Sequence, residues 1–398
     1  MTGKYANRPE LQIKNRDCTW ERSSAKEIFI TKDDRNHPEL PVLAASQELG
    51  MVKRESINYK ISYDKRNTVT YKRVMPGQFV IHLRSFQGGF AHSCVEGITS
   101  PAYTVMDFRD KSYHDDFFWK YVLSSDKFIN QLSTVTYGIR DGKSISFSDF
   151  SEMNFAYPSK EVQKILGEFL SEVDKVILIQ KRKLIGVECF RKAMLTKLFP
   201  REGAAEPELR FRGFSGKWEQ CTAKKIFESK DDRNHPDLPV LTATQEYGMV
   251  RRDRINYNVG HDKRNEVGYK RVLPGQFVIH LRSFQGGFAH SPLEGITSPA
   301  YTVIAFRDER KQDEYFWKYV FLSESFIKRL STVTYGIRDG RSISFEDFGG
   351  LQLCFPSKEE QAKIGAVLRK IDSFISLQQK KLERMQRLKA ALLEKLFV

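Results

Sequence analysis

Large apolar residues recur at alternating spacings of four and three over two long stretches of the chain. In the first stretch they are Leu166, Leu170, Val173, Ile177, Leu184 and Val187, and in the second Ile364, Leu368, Ile371, Ile375, Leu382 and Met385. One polar residue, Gln180 or Gln378, interrupts each series. This heptad pattern predicts two helices, each roughly 60 Å long, that bury their stripes against each other as an antiparallel pair. The glutamines would either fix the register of the pair or face solvent.

Shorter elements precede each long helix. PVLAAS from Pro41, QFVIHL from Gln78 and AYTVMDF from Ala102 are apolar, β-rich runs bounded by Pro, Gly and Asn. The run from Asp115 to Leu132 has the spacing of large apolar residues that predicts a helix. PSKEVQ from Pro158 places Pro, Ser and an acidic residue where a helix begins. An α+β domain followed by a long helix is therefore predicted.

The whole pattern occurs twice, at a constant offset of 198 residues. PGQFVIHLRSFQGGFAHS begins at Pro76 and again at Pro274, and STVTYGIRDG begins at Ser133 and again at Ser331. Identity over so long a run excludes coincidence and indicates duplication. We predict an α+β fold in which two globular domains are separated by two long antiparallel coiled-coil helices, with a pseudo-twofold internal repeat. The predicted boundaries are a globular domain at 1–156, a helical spacer at 157–200, a linker at 201–211, a second globular domain at 212–354 and a second helical spacer at 355–398.

Charge gives the first indication of a partner. Lys and Arg total 65 against 50 Asp and Glu, a formal net charge of +15, which favours a polyanionic partner such as nucleic acid. The five cysteines (Cys18, Cys94, Cys189, Cys221 and Cys354) are scattered and are not repeated between the halves, so they indicate neither a zinc site nor a disulfide framework. The residues from Met1 to Leu11 are polar, and no run approaches the ~18 apolar residues of a membrane span, so we expect a cytoplasmic protein.

No sequence motif of a common enzyme is present. The chain lacks the G-x-x-x-x-G-K-[ST], G-x-G-x-x-G, H-E-x-x-H and G-x-S-x-G patterns, so neither a catalytic nor a metal-binding residue is predicted. His82 and His92 recur as His280 and His290. A metal or hydrolytic site is one interpretation of these histidines, but His82 lies in an apolar run, and structural histidines are the commoner case.

Polar residues shared by the two halves fit recognition of bases in a DNA groove better than they fit a metal or hydrolytic site. Lys and Arg contact phosphates, Arg pairs with guanine and Gln with adenine. Arg84 and Gln87 stand beside two glycines that would present them from a loop. Lys72 and Arg73 are either phosphate contacts or a solvated face, and Arg140 either contacts DNA or braces a turn. The predicted DNA-binding residues are Lys65, Arg66, Arg84, Ser85, Gln87, Tyr137, Arg140, Lys263, Arg264, Arg282, Ser283, Gln285, Tyr335 and Arg338.

Several motifs, in their order along the chain, resemble those of a known family. They are GITSPAYTV at Gly97 with its counterpart at Gly295, TYGIRDG followed by ISF, PSKEEQAKI at Pro356, KLF at Lys197 and Lys395, and PELRFRGFSGKWE at Pro207. Together they resemble the DNA specificity subunit of Type I restriction-modification systems, and the resemblance covers essentially the whole chain.

This resemblance implies a division of labour between subunits. The two globular domains would be target-recognition domains, each reading half of a bipartite site in double-stranded DNA. The long helices would hold the domains apart and dock methyltransferase (modification) subunits. The chain itself would carry no cofactor. S-adenosylmethionine, ATP and Mg²⁺ would bind to the partners, the methyltransferase subunits and a restriction subunit, which carry adenine methylation and ATP-dependent cleavage.

The chain departs from the family in having two nearly identical recognition domains, whereas members commonly carry two unrelated ones. Like domains related by a pseudo-twofold axis would read an inverted repeat with an unread gap. The copies still differ at Leu49/Tyr247, at Ser56/Arg254 and between 111–114 and 309–312. Two other functions are compatible with the sequence: a coiled-coil scaffold whose basic domains bind RNA or protein, and a nuclease with an unrecognised centre. Salt-dependent binding to duplex DNA that carries a bipartite site would favour the specificity subunit. Metal-dependent cleavage by the chain alone would favour the nuclease.

Overall fold

The computed structural model describes residues 20–46, 49–56, 65–82, 89–135, 145–201, 203–244, 247–254, 263–280, 287–330 and 343–397. The chain divides into two compact units. Unit 1 is Met1–Lys181 together with Lys380–Val398, and unit 2 is Arg182–Gln379. Each unit therefore combines one globular domain with part of each long helix, a division that follows contacts and not the order of the sequence.

The first half of the chain contains a mixture of short strands and helices. The strands are β1 (Glu21–Ser24), β2 (Phe29–Lys32), β3 (Leu43–Ser46), β4 (Gly50–Lys53), β5 (Lys72–Val74), β6 (Phe79–Ile81), β7 (Phe90–His92), β8 (Gly97–Thr99), β9 (Thr104–Phe108) and β10 (Asn154–Tyr157). The helices are α1 (Ala25–Ile28), α2 (Asp116–Val122), α3 (Asp126–Val135), α4 (Phe147–Ser151) and α5 (Lys160–Lys197). Strands β2, β9, β6 and β7 form an antiparallel sheet in that order, and β1–β10, β3–β4 and β5–β8 form antiparallel pairs.

The second half repeats these elements in the same order. Its strands are β11 (Glu219–Thr222), β12 (Phe227–Lys230), β13 (Leu241–Thr244), β14 (Gly248–Arg251), β15 (Lys270–Val272), β16 (Phe277–Ile279), β17 (Phe288–His290), β18 (Gly295–Thr297), β19 (Thr302–Phe306) and β20 (Gln352–Phe355). Its helices are α6 (Ala223–Ile226), α7 (Glu314–Leu322), α8 (Glu324–Leu330), α9 (Phe345–Gly350) and α10 (Lys358–Leu396). The strand register repeats too, since Phe79 pairs with Met106 and Phe277 with Ile304. The internal repeat and the α+β class are confirmed.

An aromatic core fills each globular domain. In unit 1, Phe29 is fully buried on β2 and packs against Phe79, Phe108, Trp119 and Phe150. Aromatic rings bury large areas and favour the edge-on and offset arrangements found here, such as the 83° angle between Phe29 and Trp119. Unit 2 builds the same core around Phe227.

The predicted helical run from Asp115 to Leu132 is two helices. Helix α2 ends at Val122 and α3 begins at Asp126. Between them the Ser125 hydroxyl accepts a hydrogen bond from the backbone N–H of Phe128, 3.2 Å away, and donates to the carbonyl of Val122. A serine that binds the free N–H groups of a helix start favours a new helix at this point. The apolar spacing continues across the break, which is why the pattern alone predicts one element.

The two long helices are confirmed at 38 and 39 residues. Leu166, Leu170 and Ile177 are buried in α5, as are Ile364 and Leu368 in α10. Gln180 and Gln378 are both 6% exposed, so the interpretation in which they face solvent is wrong.

Within each unit the two helical segments run antiparallel. In unit 1, Lys389 forms an ion pair with Asp174, with the nitrogen 2.6 Å from the oxygen, and Leu396 shares an apolar cluster with Leu166 and Leu170. In unit 2, Arg191 pairs with Asp372, and Leu198 clusters with Ile364. Residue numbers thus rise along one helix as they fall along the other. Pairing of the helices along their full length stays a prediction.

Helix α5 is attached to its own globular domain through a glutamine and a glycine. The buried side chain of Gln163 accepts a hydrogen bond from the N–H of Asp115 at 3.0 Å and donates to the carbonyls of Tyr113 and Pro158. One turn later, Gly167 lies so close to α2 that a Cβ there would be 2.8 Å from the Asp115 Oδ1 and the Phe118 nitrogen. Gln361 and Gly365 repeat this attachment in unit 2. The absence of a side chain at Gly167 is thus what lets the helix approach the domain.

The predicted linker at 201–211 is hydrogen-bonded to unit 2. The N–H of Leu209 donates to the carbonyl of Lys197, and the Nε and Nη2 of Arg210 donate to the carboxylate of Glu360, at 2.9 and 2.8 Å. Glu360 is 1% exposed, so this ion pair satisfies a buried charge. Among the described residues, no helix is both long and apolar enough to cross a membrane.

Candidate nucleic-acid interface

Most of the predicted DNA-binding residues lie outside the described residues. These are Arg84, Ser85, Gln87, Tyr137 and Arg140 in the first half and Arg282, Ser283, Gln285, Tyr335 and Arg338 in the second. They fall on the segments 83–88, 136–144, 281–286 and 331–342, whose flanking residues are described. Those flanking residues show where each segment leaves the domain.

Residues that flank the segments carrying Arg84 and Arg140 lie next to each other. The N–H of His82 donates to the carbonyl of Gly89 at 2.8 Å and joins the two residues that flank the first segment, after β6 and before β7. A Cβ on Gly89 would lie 3.3 Å from the Cδ1 of Ile145, the residue that follows the second segment. In unit 2 the corresponding distance, from Gly287 to Ile343, is 3.9 Å. Two groups of predicted DNA contacts, separate in sequence, are thus anchored side by side.

The remaining predicted residues lie on a short 3-10 helix. It spans Lys65–Thr70 in unit 1 and Lys263–Gly268 in unit 2, where Lys263 and Arg264 are exposed. The side chains of Lys65 and Arg66 lie outside the described part. In unit 1 the helix is held by the DDRNHP loop, because the N–H of Asn36 donates to the carbonyl of Val69 at 3.1 Å. Asn36 has φ of 73°, a conformation that Asn tolerates better than most residues.

Lys72 and Arg73 have partners inside the domain, which the sequence interpretations did not include. The Lys72 ammonium donates to the carbonyl of Tyr103 at 2.9 Å. The Arg73 guanidinium contacts the Glu96 carboxylate at 2.5 and 2.9 Å, and its hydrogen bond with Glu96 raises the pKa of Arg73 above the ordinary value. Lys270 and Arg271 repeat these contacts in unit 2. Their charges brace the domain.

The repeated histidines have structural surroundings. Burial lowers the pKa of His82, whose ring packs edge-on against Tyr103. His92 is buried and hydrogen-bonded to Asp116. Among the described residues, no group of three or more His, Cys, Asp or Glu side chains is arranged to hold a metal ion. The structural interpretation of His82 is therefore the one that its contacts support.

One family of known proteins matches part of the chain. Residues 218–387 match the sequence model of the Type I restriction modification DNA specificity domain. The matched range contains the globular domain of the second half and most of helix α10. Because the strands and α-helices of this range recur at an offset of 198, the described part of residues 20–189 has the same topology as the matched range.

Solved structures of known specificity subunits share the fold. The crystal structure of a Type I restriction-modification system S subunit from M. genitalium is 15% identical, with a TM-score of 0.60 over 98% of this chain and 99% of that one. A second structure, described as the basis of complex assembly and conformational transition of the type I R-M system, is 15% identical, with a TM-score of 0.54 over 97% and 99% of the two chains. No curated protein sequence matched. At this identity the shared property is the fold.

The positions that differ between the two globular domains lie in different surroundings. Leu49 and its counterpart Tyr247 project from the β3–β4 and β13–β14 turns and are 60% and 62% exposed. By contrast, the segment from Lys111 to His114 packs on the start of α5, because Lys160 donates to the carbonyl of Lys111 and Gln163 to that of Tyr113. The sequence difference at 111–114 therefore lies where the globular domain contacts helix α5. The difference at Leu49, by contrast, lies on an exposed turn, where unit 2 has the aromatic Tyr247 instead.

His114 and its counterpart Gln312 perform the same structural task with different chemistry. The Nδ1 of His114 accepts a hydrogen bond from the indole N–H of Trp119 at 3.3 Å, and the Oε1 of Gln312 accepts one from Trp317 at 2.8 Å. Only the neutral form of His114 has an acceptor nitrogen to offer. Burial lowers the pKa of His114 from 6.5 to about 4.

This difference predicts that unit 1 is more sensitive to acid than unit 2. Between pH 6.5 and 4 the unfolded chain binds a proton at His114 that the folded chain does not, so stability falls as the pH falls through this window and is unaffected above it. The loss is at most about 3 kcal/mol. Replacing His114 by Gln is expected to raise the denaturation midpoint at pH 5 and to leave it nearly unchanged at pH 8.

The reciprocal substitution, Gln312→His, is the matched control and is expected to introduce the same acid sensitivity into unit 2. Urea denaturation at both pH values, monitored by tryptophan fluorescence, measures the effect. An equal response of wild type and His114→Gln at pH 5 would contradict it.

Proposed function

We propose that this chain is the non-catalytic specificity subunit of a Type I restriction-modification complex and that it directs its partners to a bipartite site in double-stranded DNA. The proposal rests on the match of residues 218–387 to a DNA specificity domain and on the repetition of that domain in the same chain. If the chain has two recognition domains, the simplest arrangement is that each recognises one half-site. The net charge of +15 favours a polyanionic ligand.

The bipartite site is proposed to be an inverted repeat. The segments carrying Arg84 and Arg282 are identical in sequence and start from hairpins with the same register. Equal side chains on equal scaffolds are expected to select the same bases, and an antiparallel pairing of the long helices would place the two recognition domains on opposite strands. The gap between the half-sites would be spanned by the helices without contact to its bases.

Methylome sequencing tests this proposal. The chain is produced together with its methyltransferase subunits in a host without adenine methylation, and modified adenines are mapped. We expect one motif whose half-sites are reverse complements, separated by a fixed number of unread bases. A motif with two unrelated half-sites would refute the inverted repeat but keep the specificity subunit. RNA binding without any effect on methylation would favour the scaffold function, and metal-dependent cleavage by the chain alone would favour the nuclease.

The long helices are proposed to dock the methyltransferase subunits through an apolar stripe beside the buried seam. Val176, Ile179 and Phe190 are exposed on α5. The residues 198 positions later on α10 are Phe374, Leu377 and Leu388, which are also exposed. Apolar side chains exposed at the same heptad positions of both helices fit a partner that packs helices against them.

Charge placed on this stripe is expected to prevent assembly. The double variant Ile179→Glu, Leu377→Glu should fold and bind DNA but lose co-purification with the methyltransferase subunits, because each new carboxylate would be buried unpaired in the interface. Ile185 is the matched control: it is also exposed, lies off the stripe, and has Glu383 as its counterpart in α10. Ile185→Glu should leave assembly intact, and loss of assembly in both variants would argue against a localised docking stripe.

The chemistry of the complex is proposed to reside in the partners. Methyl transfer from S-adenosylmethionine to adenine would belong to the methyltransferase subunits, and Mg²⁺- and ATP-dependent cleavage to a restriction subunit. A location in the cytoplasm, where chromosomal DNA and these partners would be available, stays a prediction from the sequence.

A further inference from the structure

Unit 1 contains a cysteine, a histidine and an aspartate joined in series, outside the segments proposed to read DNA. Cys94 lies two residues after His92, at the end of β7, and its Sγ is 3.6 Å from the His92 Nδ1. The opposite ring nitrogen, Nε2, is 2.7 Å from the Oδ2 of Asp116, the first residue of α2. A thiol beside an imidazole that a carboxylate orients is the arrangement by which proteins activate cysteine as a nucleophile.

The histidine at the centre is held in place. His92 is 5% exposed, and its ring packs between Phe79 and Phe117 with centroid distances of 5.2 and 5.3 Å. Cys94 itself is exposed, so a reagent in solution can reach its sulfur. The constellation therefore has a fixed base and an accessible nucleophile.

The charges around the sulfur favour the thiolate. The hydrogen bond with His92 lowers the pKa of Cys94 below the ordinary value; burial opposes this effect, and the ammonium of Lys120 on α2 adds to it. Burial works against protonation of His92, but its hydrogen bonds with Asp116 and Cys94 outweigh burial and raise its pKa. Asp116, which raises the pKa of Cys94 slightly, acts mainly through the histidine.

The globular domain of unit 2 has a histidine and a carboxylate in the same places but no cysteine beside them. His290 is buried and its Nε2 lies 3.1 Å from Oε2 of Glu314, while Pro292 stands where Cys94 would be. The other described cysteines lack a hydrogen-bonded histidine: Cys189 is exposed on α5, and burial raises the pKa of Cys221. Among the described cysteines, the constellation thus singles out one thiol in one of two otherwise similar domains.

We propose that Cys94 is a modification site that reacts with low-molecular-weight disulfides of the glutathione class. The Cys94 thiolate attacks one sulfur of the disulfide, a bond forms between the two sulfurs, and the disulfide's own S–S bond breaks. The released thiolate takes the bonding electron pair and accepts the proton that His92 holds. Cys94 is thereby oxidised to a mixed disulfide and one half of the reagent is reduced to a thiol. Asp116 is a positioning residue, acting on the sulfur through His92.

The full-length protein treated with oxidised glutathione tests this proposal, with Cys189 as an internal reference. Mixed disulfides at both cysteines are quantified by peptide mass mapping between pH 5.5 and 9. We expect Cys94 to react about tenfold faster than Cys189 at pH 6.5, and the difference to shrink at high pH as ordinary thiols ionise. Equal rates and equal pH profiles at the two cysteines would overturn the proposal.

Two variants separate activation from simple exposure. Asp116→Asn is expected to move the pH profile of Cys94 toward that of Cys189, whereas an unchanged profile would remove Asp116 from the site. Pro292→Cys, introduced with Cys94→Ser, places a thiol beside His290 and Glu314 and is expected to create a fast site in unit 2 in place of the one removed from unit 1. If Asp116→Asn unfolds unit 1, the wild-type comparison of Cys94 with Cys189 still decides the question.

Discussion

Replacing Gly167 by alanine is expected to destabilise unit 1 by about 1–3 kcal/mol. The new methyl group would lie 2.8 Å from the backbone nitrogen of Phe118, an atom that moves only if α2 moves. Helix α5 would have to shift, and the hydrogen bonds of the buried Gln163 side chain to the same region would weaken. Chemical denaturation, monitored by the fluorescence of Trp119, measures the loss.

Gly186 on the same helix provides the control. Among the described residues, no atom outside the helix's own backbone lies within 4 Å of the position of its Cβ, so alanine there meets open space. Gly186→Ala is expected to stabilise the protein by roughly 0.5–1 kcal/mol, because glycine is a poor helix former. If Gly167→Ala lowers the free energy of unfolding and Gly186→Ala raises it, the close approach of α2, and not helix propensity, explains the glycine at position 167. Two changes of the same sign would contradict this explanation.

Removing Arg84 and Arg282 together is expected to produce the largest loss of DNA binding. An arginine that pairs with a guanine edge contributes about 1–3 kcal/mol, so the double alanine variant should bind its site roughly 30-fold to more than 1,000-fold more weakly. Each single variant should relax selection at one half-site only. Fluorescence anisotropy with the mapped target and a scrambled duplex, at fixed salt, measures both effects.

Loss of charge alone must be distinguished from loss of a base contact. Lys192→Ala removes one positive charge from an exposed position on α5 and should weaken binding to target and scrambled DNA alike, and only slightly. If Arg84→Ala also reduces both affinities equally, Arg84 contacts phosphate and not a base. If it changes neither affinity, Arg84 does not belong to the interface.

The sequence predicts those parts of the fold whose causes are local or periodic. The heptad positions of α5 and α10 follow from burial along one helical stripe, and the strands around Phe79 and Thr104 follow from short apolar runs between turn residues. The constant offset between the copies made the repeat evident. Even the polar position at Gln180 was visible, although its burial was not, since a glutamine in a seam and one in solvent interrupt the pattern equally.

What the sequence did not predict depends on partners far away in the chain. The ion pair of Arg73 is not predicted from the sequence, since its partner Glu96 lies 23 residues away. Gln163 and Gly167 look like ordinary residues of an amphipathic helix until α2 is placed against them. The predicted DNA contacts at Arg84 and Arg140 remain predictions, and the described structure adds that their segments start from adjacent residues.

The composition of unit 1 has a consequence for synthesis on the ribosome. Its core includes Leu396 and Phe397, which pack with Leu166, Leu170 and Phe118. Unit 2, by contrast, is complete once residue 379 has been made. Chains usually fold in the order in which their domains are translated. Here the globular domain that is translated first cannot cover its aromatic core until α10 has been translated. The nascent chain is therefore expected to complete unit 2 before unit 1.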